Sequence, residues 1–139
     1  MNDASAKLTL SRVGAILAFL SVTIFGIGLV VQMTLDEAHA SIYPILITGG
    51  AGLALLIGAA YLVLSSRRPV SADEASHSSV KVLRRAAIVA GLIVVVGGIA
   101  SFVSGPDVIT SVILVLVGLQ APIAMVMASG FIQNPRAHS

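Results

Sequence analysis

Few side chains in this sequence could do chemistry, and most lie outside the stretches that would form a protein interior. Asp36, Glu37 and His39 stand together and supply carboxylates and an imidazole, the donor types of a metal site. Their closeness along the chain does not by itself set a coordination geometry. Thr34 and Glu37 also have the spacing of a helix capping box, so the stretch is read as a solvated loop. His39, His77 and His138 all fall outside the long apolar runs, which leaves no axial ligand for a haem at membrane depth. Cysteine is absent from the chain, and with it thiol catalysis, disulfides and Cys-bound zinc or iron-sulfur centres. We expect no catalytic residue, no cofactor and no metal.

Gln120 is the strongly polar side chain nearest the middle of an apolar run, close to Gly118 and Pro122. A bare amide in an apolar setting costs roughly 2–7 kcal/mol, so it must find partners. Those expected are the backbone groups loosened by Pro122, or Ser21 and Thr23 across a bundle. Contact with a substrate, a quinone or a pore is the functional reading. An interhelical hydrogen bond that fixes register is preferred, because polar side chains commonly fasten spans to one another. Asp, Glu, Lys, Arg and His are missing from the interior of every apolar run, which disfavours a proton relay or an ion-coupled site.

The elements that must hold these residues follow from composition and charge spacing. Of 139 residues, 57% are hydrophobic and 10% charged, with a mean hydropathy of +1.03. A soluble domain carries about 25% charged residues, so the surface here is made for lipid. The charges leave neutral runs of 23 residues between Arg12 and Asp36 and 29 between Glu37 and Arg67. Two more, of 21 and 28 residues, lie between Arg85 and Asp107 and between Asp107 and Arg136. About 20 apolar residues in a helix cross a hydrocarbon core, and no run has the alternation of a barrel strand. Helices are therefore expected over 12–35, 43–65, 84–104 and 107–131. Pro44 and Pro106 suit first helical turns, with Ser104 or Gly105 as a cap and Asp107 favoured by the helix dipole. Pro69 and Pro135 follow helix ends, whereas Pro122 sits inside the fourth helix and should kink it against the carbonyl of Gly118.

Orientation comes from the basic residues. Lys7 and Arg12, then Arg67, Arg68, Lys81, Arg84 and Arg85, then Arg136 would all lie on one side, opposite Asp36, Glu37 and Asp107. The excess of basic residues in cytoplasmic loops then puts both termini in the cytoplasm. Lys7 and Arg12 followed by an apolar run and Ala38-His39-Ala40-Ser41 have the outline of a cleaved signal peptide. The run is longer than the usual 7–15 residue core, so a retained helix is expected. Arg67, Arg68, Lys81, Arg84 and Arg85 would meet anionic lipid headgroups, and the pI near 9.5 is read as topology, not as nucleic-acid binding. Ser71 and Glu74 have capping-box spacing, so a helical turn is expected from Ala72. Tyr43 and Tyr61 lie near opposite ends of the second helix, where interfacial aromatics anchor a span.

The fold expected is all-α: a polytopic four-transmembrane-helix bundle of two antiparallel hairpins, N-in/C-in. Its parts are an N-terminal tail over 1–11, a first hairpin over 12–65, a Ser-rich basic loop over 66–83, a second hairpin over 84–131 and a C-terminal tail over 132–139. Small residues should let the helices approach: Gly50, Ala54 and Gly58 on the second, Gly97, Ser101 and Gly105 after Ala87 and Gly91 on the third. Gly14, Ala18 and Gly26 on the first and Ala124 and Ala128 on the fourth would do the same, and packing within one chain is preferred over self-association. Aligning Arg12 with Arg85 does not bring the glycines into register, so no duplication is read.

With every obvious coupling group missing, the sequence points to a non-catalytic membrane protein, an accessory or assembly subunit of a larger complex. Its expected partners are membrane lipids and other integral membrane subunits or itself, with no nucleic acid, and its place is the cell membrane. A holin-like self-assembling permeabilising protein, or a small transporter or channel, is the alternative.

Overall fold

The computed structural model describes residues 3–34, 42–69, 71–104 and 108–133, all of them in helices or short connections. Helix α1 covers Asp3–Thr34, α2 Tyr43–Ser66, α3 Ala72–Ser104 and α4 Val108–Gln133. Each is long and apolar enough to cross a membrane. The expected ends of α2 and α4 agree with these within two residues. Pro44 lies in the first turn of α2, where its missing N–H is one of the groups no helix can pair.

Two helices start earlier than charge spacing predicts. The first begins at Asp3 and the third at Ala72, so most of the stretch expected as a basic loop over 66–83 is helix. Ser71 explains the second start: its Oγ accepts a hydrogen bond from the Glu74 N–H at 3.2 Å, and its carbonyl accepts one from Ala75 N at 3.0 Å. That is the N-cap half of a capping box, and α3 runs on from it without a break. At 1.5 Å per residue, the 32 residues of α1 reach about 48 Å and the 33 of α3 about 50 Å, well beyond a ~30 Å hydrocarbon core. Leu10, Ala75, Val80 and Leu83 are buried, so the overhanging ends belong to the bundle.

All four helices touch one another, and α2 is the central one: half of its span is buried, against 28%, 33% and 28% for α1, α3 and α4. The other helices bury narrow seams. On α1 these are Leu10, Gly14, Leu17, Ser21, Ile24 and Gly28; on α4 the seam runs through Ser111, Leu114, Gly118, Ala121, Met125, Ala128 and Ile132, with Val117 and Ser129 buried beside it. The steps alternate between three and four residues, the spacing by which a helix keeps one stripe against its neighbour over many turns. Large apolar side chains cover the outside, among them Phe19, Leu29, Ile99 and Met127. A water-facing surface of this kind would be an aggregation hazard, whereas hydrocarbon tails solvate it at no cost.

Candidate functional site

Glycine and alanine set how close the helices come. A Cβ built on Gly14 would lie 2.8 Å from Val63 Cγ2 and 3.0 Å from the Ala59 carbonyl oxygen, which puts the α1 and α2 backbones almost in contact. At Gly28 it would fall on Thr48 Oγ1, with Thr48 Cβ only 2.7 Å away. The ridge on α2 works in the same way: Gly50 meets Ile93 of α3, and Gly58 meets Leu83 of α3 and Met125 of α4, with Ala54 buried between them. A Cβ built on Gly97 of α3 would lie 2.7 Å from Ile47 Cγ1, and one on Gly118 of α4 would lie 2.8 Å from Val94 Cγ2 and 3.2 Å from Ile47 Cγ2. Ile47 is therefore the knob around which α2, α3 and α4 close. These ridges are occupied by side chains of neighbouring helices of the same chain.

The buried hydroxyls serve the same joints. Ser21 Oγ donates to the Gly52 carbonyl at 2.7 Å and ties α1 to α2. Ser101 and Ser111 share a hydrogen bond of 2.7 Å and tie α3 to α4. Thr48 Oγ1 donates to the Pro44 carbonyl at 2.5 Å within its own helix. That carbonyl would otherwise bond the fourth following N–H alone, and the second donor also fixes the Thr48 rotamer beside Gly28. Ser79 Oγ is fully buried with no hydrogen-bond partner among the described residues.

Gln120 differs from its expected place. It is exposed on the outer side of α4, and no hydrogen bond joins its amide to another described residue. It makes no bond to the backbone groups loosened by Pro122, and neither side-chain partner is available: Ser21 is committed to Gly52, and Thr23 is itself exposed and donates to the Phe19 carbonyl at 3.0 Å. Gly118 and Pro122, next to Gln120 in sequence, turn inward, toward Val94 and toward Gly91. The relief that Gly118 gives is thus to neighbouring helices. Gly26 is also misplaced by four-residue counting, since a Cβ there meets nothing within 4 Å.

Seven basic residues gather at one end of the bundle. Arg12, Arg67, Arg68, Lys81, Arg84 and Arg85 are exposed there, and Lys7 Nζ donates to the Arg68 carbonyl at 2.7 Å, closing the α1 and α2 ends together. The Arg67 and Arg68 amides donate back to Leu64 and Ser65 at 3.1 and 3.3 Å, finishing α2. Asp73, Glu74 and His77 are exposed at the same end. Asp36, Glu37 and His39, the alanines and serine of the would-be cleavage site, Gly105 to Asp107, Pro135, Arg136 and His138 lie outside the described residues. Among the described residues, no three of His, Cys, Asp and Glu come together.

The fold and its joints define an all-α chain of four helices long and apolar enough to span a membrane. No family model, no curated protein and no solved structure matches it.

Proposed function

We propose that the protein is a small multi-pass protein of the cell membrane with both termini in the cytoplasm, and that it has no catalytic activity of its own. It serves as an accessory or assembly subunit of a larger membrane complex. The interior carries this reading: the Ser21, Ser101 and Ser111 hydroxyls tie helices together, Thr48 is bonded within its own helix, and apart from Ser65, Ser79 and Ser129 the rest of the described core is apolar side chain or glycine. Scattered hydroxyls with no charged or titratable side chain among the described buried residues favour a packing role over a solute path or a reacting centre. Gln120, the residue that would have argued for a transport path, faces away from the core.

Orientation rests on charge. The exposed arginines and lysine at one end fit the cytoplasmic face, where each contributes on the order of 1 kcal/mol against anionic headgroups. A pull-down in native detergent tests the subunit reading. It predicts a heterologous membrane partner in fixed stoichiometry. A large homo-oligomer that collapses the membrane potential on overexpression would overturn it and favour a permeabilising protein.

A further inference from the structure

Gln120 lies at the midpoint of α4, with twelve residues before it and thirteen after it in the helix, and it points outward. At 1.5 Å per residue it is about 18 Å from either helix end, beyond reach of headgroups or water for a side chain of its length. Hydrocarbon has no group to meet an amide, and no hydrogen bond joins the Gln120 amide to the described backbone around it, the Gly118 carbonyl left without a donor by Pro122 included.

We propose that two copies of the chain pair through this face of α4, with the Gln120 amides hydrogen-bonded to each other across a two-fold axis along the membrane normal. The inference rests on the reading of the four helices as membrane spans. A second copy is the occupant that fits without further assumption. Copies inserted in one orientation can be related by an axis along the normal, so every residue near that axis meets its own twin at its own depth. A glutamine amide both donates and accepts, so two of them satisfy each other reciprocally. The face around Gln120 has the seam for it. Ile109, Ile113, Leu116, Ile123 and Met127 are all exposed, and with Gln120 they are separated by alternating steps of four and three residues. This is the stripe along which two parallel helices pack, with the polar residue at a position where one amide sets register and partner number. Gly130 continues the same spacing, and a Cβ there would meet nothing within 4 Å in the single chain, which leaves the end of the seam open for close approach.

Because the chain has no native cysteine, single-cysteine variants read the pairing directly in membranes. Ile113→Cys and Met127→Cys, each seven residues from Gln120, are expected to form a disulfide-linked species of twice the chain mass under mild oxidation. Val126→Cys is equally outward but lies about 120° round the helix from Gln120, and should not. In the Met127→Cys background, Gln120→Leu should weaken pairing about five- to thirty-fold, and Gln120→Asn should retain it. Since all these positions face outward, the thermal stability of the monomeric bundle in detergent should not change. Equal cross-linking at 126 and 127, unchanged pairing with Gln120→Leu, or a cross-linked species of another mass would overturn the proposal. Chains that stay in the membrane after alkaline extraction but do not pair refute the pairing alone. Chains released by that extraction refute the membrane reading with it. A heterologous complex is a separate matter, decided by the pull-down.

Discussion

Gly26 and Gly28 are two residues apart on α1, and the same substitution should have opposite consequences at them. Alanine in place of a helical glycine gains up to about 1 kcal/mol in backbone propensity at either site. At Gly26 nothing opposes that gain, because the new methyl group enters open space. At Gly28 the methyl carbon would sit 2.7 Å from Thr48 Cβ and 3.0 Å from its Cγ2, and would clash with the hydroxyl. Carbon atoms pack at about 3.5–4.0 Å, so α1 and α2 must separate by about 1 Å at this crossing. Thr48 cannot yield: its Cβ moves only with the backbone, it is 2% exposed, and its hydroxyl is fixed to the Pro44 carbonyl. Overpacking of this kind costs about 1–3 kcal/mol, and the rigid neighbour places Gly28 at the upper end. The two variants should therefore differ by about 2–3 kcal/mol. At about 4 °C per kcal/mol for a chain of this size, that is a separation of roughly 8–12 °C in Tm. Thermal unfolding in detergent, followed by circular dichroism, measures it. Gly26→Ala should equal or exceed the parent, and Gly28→Ala should fall below it. Equal shifts for the two would refute the packing of α1 on α2 described here.

Two further outcomes follow from the joints and the charges. Ser101→Ala and Ser111→Ala should each destabilise, and the double variant by less than their sum. Their coupling should be about 0.6–1.7 kcal/mol in a double-mutant cycle, since either single change strands a buried hydroxyl. Exchanging Arg67, Arg68, Lys81, Arg84 and Arg85 for Gln should give chains of mixed orientation, read by the accessibility of a cysteine introduced at the C terminus. A single unchanged orientation would refute the charge argument.

Helix number, both ends of α2 and α4 and the C-terminal ends of α1 and α3 were legible in the sequence, because charge is intolerable in hydrocarbon and neutral runs therefore mark out helices apolar enough to cross it. The starts at Asp3 and Ala72 were not, since counting charges finds the thickness of a bilayer and not the end of a helix. Ser71 with Glu74 was the local signal for the second of these. Which face of each helix turns inward was harder still. A span that is apolar all round has no polar side to betray its orientation. Counting by fours grouped Gly14 with Ala18 and Gly26, whereas the buried seam groups it by sevens with Ser21 and Gly28. The same arithmetic joins Ile113, Gln120 and Met127 on the outside of α4, and so separates Gln120 from Gly118, its neighbour but one.

The unbroken course of α3 also sorts charge by height. Asp73 and Glu74 stand near its tip, Lys81 below them, and Arg84 and Arg85 at the start of its neutral run. With no joint in between, Asp73 is held about 18 Å from Arg85 along the helix axis. That is twice the distance over which ions at physiological strength screen a charge, about 8 Å. On the proposed orientation, Arg84 and Arg85 feel the lipid surface without interference from the acids. The acids are carried clear of the like-charged membrane on a stiff rod, whereas a flexible loop of the same composition would let the two signs collapse and cancel.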